Sequence, residues 1–208
     1  MQAPLKIGFL ASHGGSGMRA VLEAMQAGAI NAVPAVMISN NVDALAHDVA
    51  AAYAMPSLTL NVRLLGDEPT LDRAIARCLG DHGAQLIVLS GYMRMLGPVT
   101  LARFRDRILN VHPALLPAFG GKGMYGDRVH AAVLAAGASV SGATVHIVDE
   151  EYDHGPVVGR LETPVLADDT LGALRARVQA AETQLFVRVI ADIAAGRLDL
   201  DALARASR

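Results

Sequence analysis

Apolar and polar positions follow two rhythms along this chain. Continuous apolar runs predict buried strands at residues 6–11, 34–39, 85–89 and 108–111, with a shorter one at 58–60. Between them, apolar residues recur at helical spacing over residues 16–27, 43–53, 67–81 and 100–105, the first helix being expected to open on a Ser16 cap. That βαβα order predicts a doubly wound, Rossmann-like α/β sheet, mostly parallel, with right-handed crossovers. After a further helix at 127–136 the rhythm changes. Residues 139–148 and 157–165 alternate apolar with polar, as strands with one wetter face do, and are expected as antiparallel C-terminal strands. A long amphipathic helix over 170–195 is expected to pack across the sheet. No linker, repeat or low-complexity stretch interrupts the pattern, so a single domain over residues 1–208 is expected.

Composition narrows the function classes. The formal net charge is −2 and the few aromatics are scattered, which argues against a nucleic-acid surface. No apolar run approaches the ~20 residues that span a bilayer, and residues 1–11 lack the basic head and long apolar stretch of a signal peptide. Cys78 is the only cysteine, so no internal disulfide can form and a cytoplasmic setting is expected. At helical spacing with Leu71, Ala74 and Ile75, Cys78 reads as a buried small apolar group.

Chemistry concentrates just past the predicted strands. Asn110, His112 and Asp153 supply an amide, an imidazole and a carboxylate, a set suited to stabilising an oxyanion and moving protons near neutral pH. Taken singly, each has a plainer role: a strand-end amide, a satisfied histidine, a turn aspartate in Asp153-His-Gly-Pro156. Their co-occurrence at converging strand ends favours an active site at the carboxyl edge of the sheet. Ser12-His-Gly-Gly-Ser16-Gly17 is a Gly-rich βα turn whose backbone N–H groups suit a phosphate, or else an ordinary tight turn. It matches neither a dinucleotide fingerprint nor a Walker loop. His13, His130, His146 and His154 lack a tight metal-ligand spacing. A metal held by His112, His146 and Asp153 is the minor alternative, and His146 is expected to face the sheet or the site rim.

Three segments resemble the folate-dependent formyltransferases: Ser90-Gly-Tyr-Met-Arg-Met-Leu96, Leu109-Asn-Val-His-Pro-Ala-Leu-Leu-Pro117 and Val145-His-Ile-Val-Asp-Glu-Glu-Tyr-Asp-His-Gly-Pro156. The likeness runs to about Gly196 and is strongest to members that formylate a glycinamide ribonucleotide. It implies catalytic roles for Asn110, His112 and Asp153, with no metal. It implies a site for the co-substrate 10-formyltetrahydrofolate at Met93, Arg94, Met95 and Leu96, with Asn110 and the loop Asp149, Glu150, Glu151, Tyr152 and Asp153. It implies a ribonucleotide site at Gly15, Ser16, Gly17, Gln179 and Glu182. The formyltransferase domain would then divide into a phosphate-binding half at about 1–100 and a folate-binding half at about 101–208. Partners are expected to be small molecules only, and the chain a monomer or homodimer.

The resemblance has departures. The Gly loop ends Ser16-Gly17 where the family has Ser-Asn, and Glu68-Pro69 stand where an arginine is expected. Residues 118–126 form a longer glycine-rich loop carrying Lys122, offered as a replacement positive charge. His112 is expected to have a raised pKa because the Asp153 carboxylate favours imidazolium. A formyl-folate hydrolase, a methionyl-tRNA formyltransferase and a sugar-amine formyltransferase are the enzymatic alternatives. Each is disfavoured because such enzymes carry extra segments, which this chain is expected to lack. A non-catalytic folate- or nucleotide-binding module is disfavoured by the intact trio.

Overall fold

A computed structural model describes residues 3–207. Its single seven-stranded sheet contains β1 (Leu5–Ala11), β2 (Ala32–Ser39), β3 (Ser57–Thr59), β4 (Leu86–Leu89), β5 (Ile108–His112), β6 (Val140–Ile147) and β7 (Val157–Pro164). The spatial order is β3-β2-β1-β4-β5-β6-β7. β1 to β5 pair in parallel, and β6 and β7 run antiparallel at the end, as the alternating pattern predicts. The helices are α1 (Ser16–Gln26), α2 (Ala46–Ala52), α3 (Val62–Leu65), α4 (Glu68–Asp81), α5 (Pro98–Arg103), α6 (Asp127–Ala135), α7 (Leu171–Ala194) and α8 (Leu200–Ala206).

The central strands are apolar on both faces because each face carries a helical layer. Ile7, Phe9, Met37, Val88 and Leu109 point to the face covered by α1 and α7, through Met18, Leu22, Leu185 and Phe186. Their neighbours Leu10, Val36, Ile38, Ile87 and Ile108 point the other way, against Leu71, Ile75 and Leu79 of α4. Period-two alternation in continuous apolar strands thus serves two cores at once.

Several details depart from the sequence pattern. Ser16 does not cap α1: the cap position is Gly15, in the left-handed region at φ 62°, and no side chain bonds there. The capping comes from a distant strand end, where Ser90 Oγ accepts from Met18 N at 2.9 Å. β6 has no wet face; all but its first residue are buried, because β5, β7 and α7 enclose it. The edge strand β7 keeps exposed positions at Arg160, Glu162 and Pro164. Cys78 is half-buried at the rim of the α4 core, its Sγ 3.9 Å from His82 Nδ1. α3 and α8 are too short for periodicity to reveal; α8 is tied down by an ion pair between Arg107 and Asp201 at 2.8 Å. Among the described residues no helix is long and apolar enough to cross a membrane.

α5 starts two residues earlier than its apolar spacing predicts, and Asp72 supplies the reason. Its buried carboxylate accepts from Val99 N at 2.7 Å, from Thr100 N at 2.9 Å and from Thr100 Oγ1 at 2.6 Å. A side chain on α4 thereby caps α5 and fixes the exit of the preceding segment, residues 90–97. Gly97 is required there, since a Cβ would lie 2.4 Å from the Asp72 carboxyl. Replacing Asp72 with Ala would leave these donors unpaired inside the protein, at about 1–3 kcal/mol for an unsatisfied buried group. Asp72→Ala is therefore expected to lower unfolding free energy by about 2–4 kcal/mol in urea titrations; a loss under 1 kcal/mol would mean water replaces the cap.

Candidate active site

Residues two apart on a strand share a face, so Asn110 and His112 emerge together at the carboxyl end of β5. Antiparallel pairing sets Asn110 opposite His146 and His112 opposite Thr144. β6 then turns through residues 148–156, and Asp153, at φ 56°, points back at the pair. Asp153 Oδ2 lies 3.4 Å from His112 Nδ1 and Oδ1 lies 3.5 Å from His146 Nε2. The three residues chosen from sequence do converge, and His146 joins them as a fourth. Strand alternation puts His146 opposite in facing to Val145 and Ile147; only the β5–β6 register shows that this face is the site.

The hydrogen bonds restrict where protons sit. His112 Nε2 is 2.8 Å from the Phe119 carbonyl, an acceptor only, so Nε2 carries a proton and Nδ1 faces the carboxylate. Gly121 N donates to Asp153 Oδ2 at 2.9 Å. The glycine-rich loop after Pro117 thus holds both His112 and Asp153 with its backbone. The Asn110 amide Nδ2 is 3.1 Å from His146 Nε2, while His146 Nδ1 is 3.0 Å from the Ile147 carbonyl. An amide N–H needs a bare Nε2, whereas Asp153 would need a protonated one. His146 can therefore serve Asn110 or Asp153 but not both in one protonation state.

Electrostatics overturn one expectation. His112 is only 3 % exposed, and burial pulls its pKa below the usual histidine value, outweighing the upward pull of Asp153 and the Phe119 carbonyl. Desolvation of the ring beats a carboxylate held at 3.4 Å. Burial also opposes the charge on Asp153, but the contacts to His146, His112 and Gly121 prevail and hold its carboxyl below the ordinary range. Among the described residues no group of three or more His, Cys, Asp or Glu side chains is spaced to hold a metal.

Two small clefts flank this cluster. One, about 80 Å³, is lined by Ser16, Gly17, Ser90, Gln179, Glu182 and Phe186, among others. It brings the turn before α1 together with the middle of α7, across 160 residues that sequence spacing cannot bridge. A Cβ on Gly17 would sit 3.2 Å from Ser90 Oγ, so the Ser90 cap itself favours glycine there. Gly15 stays at the helix start behind this cleft, outside its lining. Lys122 is exposed and lines none of the three cavities, which leaves its suggested role in charge replacement without a contact.

The second cleft, also about 80 Å³, is lined by Arg94, Met95, Leu96, Asn110, His146 and the loop residues Asp149, Glu151, Tyr152 and Asp153. Leu89, Tyr92 and Val148 complete its walls; the sequence reading did not single them out. Tyr92 Oη is buried without a partner, and burial pushes its pKa up to about 12. Met93 and Glu150 lie outside this lining. Glu150 faces a cavity of about 690 Å³ on the far side of the same loop, with Leu101 and Arg105. That larger cavity contains neither Asn110, His112 nor Asp153, so chemistry, not size, locates the candidate site. It shares Val148, Asp149 and Glu151 with the small cleft, which makes the acidic loop a partition between the two.

Glu182 provides a pH test of this geometry. Burial pushes its carboxyl from 4.5 up to about 7. The native chain then holds a proton that the unfolded chain releases, so this contribution is fully present below pH 4.5 and is lost as pH rises through 7. Glu182→Gln is expected to stabilise the protein at pH 8 by on the order of 1–2 kcal/mol, discounted for partial solvation. Below pH 4.5 it should have no effect, as thermal unfolding at the two pH values will show.

Comparison with known proteins agrees with this geometry. Residues 5–190 match the formyl transferase family. The phosphoribosylglycinamide formyltransferase of Mycobacterium tuberculosis is 39% identical over 197 residues, covering 92% of this chain and 86% of that protein. The chloroplastic enzyme of the same name from Arabidopsis thaliana is 35% identical over 194 residues and 93% of this chain. The chain spans under two thirds of the plant relatives' own length, 66% and 59%. The crystal structure of glycinamide ribonucleotide transformylase 1 from Symbiobacterium toebii superposes with a TM-score of 0.89 at 34% identity, covering 96% of this chain and 92% of that one. Sequence and fold converge: this chain belongs to the formyl transferase family.

Proposed function

We propose that the chain is a phosphoribosylglycinamide formyltransferase. It transfers the formyl group of 10-formyltetrahydrofolate to the amine of N1-(5-phosphoribosyl)glycinamide, releasing tetrahydrofolate in de novo purine synthesis. The observation that carries this reading is that two clefts of different character reach the end of β5, one lined by Val111 and the other by Asn110 and Asp153. The one beside α1 offers helix N-terminal N–H groups to a phosphate and Gln179 and Glu182 to the rest of the ribonucleotide. The one beside Leu96 offers apolar walls and the unpartnered Tyr92 hydroxyl, features that fit a flat ring with polar edges. The first draws on both the early and late parts of the chain, so the assignment of residues 1–100 to phosphate and 101–208 to folate describes emphasis, not a boundary.

In the reaction the glycinamide nitrogen attacks the formyl carbon, forming a C–N bond and placing negative charge on the formyl oxygen. Asn110 donates its amide hydrogen to that oxygen, leaving His146. The proton lost by the attacking amine passes to His112, on the Nδ1 that faces Asp153, and Asp153 stabilises the imidazolium that results. The bond from the formyl carbon to the folate nitrogen then breaks, and the same proton goes on to that nitrogen, returning His112 to its neutral form. Burial keeps the resting His112 largely uncharged, so its positive charge appears where the oxyanion does. This reading carries small-molecule partners only, a monomer or homodimer, and a cytoplasmic setting.

The decisive assay follows a 10-formyl-folate donor spectrophotometrically with and without glycinamide ribonucleotide. Turnover only with the ribonucleotide is expected; equal turnover without it would mean a hydrolase. Asp153→Asn should cut turnover by on the order of a hundredfold or more and leave ribonucleotide affinity within a few fold, as calorimetry will report. A collapse of affinity would make Asp153 structural. Because a cleft of about 80 Å³ is too small for a folate, the loop from Asp149 to Gly155 must shift to admit one. Hydrogen exchange in residues 149–155 is expected to slow when folate binds; exchange unaffected by saturating folate would show that the loop is not the gate.

A further inference from the structure

The cleft beside Leu96 has an unusual charge balance. Asp149, Glu151 and Asp153 line it, and Arg94 is the single Arg or Lys in the lining among the described residues. That guanidinium is already engaged. Arg94 Nη2 lies 2.7 Å from Glu68 Oε1, across the cleft rim in the first turn of α4. The carboxylate is fixed in place because Asp67, one residue earlier, caps α4 by accepting from Thr70 N at 2.7 Å. The two side chains are 48% and 65% exposed, so the pair is solvent-screened and open to exchange with another anion. Tyr92, which feels both charges, keeps its proton because burial pushes it up to about 12, so it adds no further anion.

We infer that Glu68 is an internal competitor for Arg94 that sets how strongly the cleft takes the anionic glutamate tail of its folate substrate. The inference rests on the folate reading above and goes beyond it by naming a specificity-determining residue outside the cleft lining. A folate presents carboxylates at the end of a flexible arm, and each added glutamate brings another. A tail carboxylate reaching Arg94 meets a guanidinium that must first release Glu68, in a cleft that also carries Asp149, Glu151 and Asp153. The cation therefore recognises the tail weakly and the chain discriminates little between short and long tails.

The test is a four-variant cycle: wild type, Glu68→Gln, Arg94→Gln and the double variant. Calorimetric Kd values at low ionic strength for tetrahydrofolate bearing one or three glutamates are combined with KM and kcat for the formylated donors. Glu68→Gln should tighten folate binding about two- to fivefold, more for the longer tail, with kcat unchanged, and the gain should vanish once Arg94 is replaced. An unchanged Kd in Glu68→Gln overturns the inference. A gain that persists without Arg94 also overturns it, because Glu68 would then act only as a general surface charge. A wild-type chain that binds folate and turns over, but whose Glu68→Gln variant matches it, refutes this inference alone. A wild-type chain that binds no folate refutes the formyl-transfer reading and this inference with it.

Discussion

Four paired positions join β5 to β6: Leu109 with Ile147, Asn110 with His146, Val111 with Val145 and His112 with Thr144. The catalytic geometry depends on this antiparallel register. A slip of one residue would turn Asn110 and His112 away from His146 and send the following loop to the wrong side of the sheet. Thr144 reinforces the register from within, accepting from Leu116 N at 3.0 Å and donating to the Ala114 carbonyl at 2.7 Å. The chain after β5 is thereby tied to the strand that supplies His146 and Asp153. A parallel sheet alone would have left the carboxylate no short route back to the imidazole.

Burial then decides how that geometry behaves. His112 is 3 % exposed, and such enclosure disfavours charge on its imidazole even beside a carboxylate. The protein compensates with directed backbone groups, the Phe119 carbonyl on His112 and the Gly121 N–H on Asp153. The glycine-rich loop after Pro117 therefore acts through its main chain. Its exposed Lys122 contributes nothing visible to either cleft.

The acidic loop plays a different part. It carries Asp153 on one side, separates a small cleft from a large cavity, and is held mainly by its own turn contacts, such as Asp149 with His154 at 3.2 Å. Few apolar anchors and many solvated bonds make such a segment easier to open than the strands beside it. On the proposed function, motion there would couple folate entry to the position of the Asp153 carboxylate, while Asn110 and His112 are held on β5.

Strand and helix order, the switch to antiparallel strands and the candidate trio of Asn110, His112 and Asp153 were legible in the sequence, because periodicity and residue chemistry are local properties. Continuous apolar runs announce strands covered on both faces, and the strongest motifs lie directly after such runs. What the sequence left open depends on contacts between distant segments. Asp72 setting the start of α5, Ser90 capping α1 and His146 joining the site each need a partner tens of residues away or more, and the meeting of Gln179 and Glu182 with the Gly loop was reached only through the family resemblance. The lowered pKa of His112 is of the same kind: the neighbouring aspartate can be inferred from the motif, but the desolvation that outweighs it comes from the packed surroundings. The sequence by itself determined which groups are available for chemistry and roughly where along the sheet they emerge. The tertiary structure alone decided which of them touch, how dry they are and which charges are already paired, since those quantities arise only when the chain closes on itself.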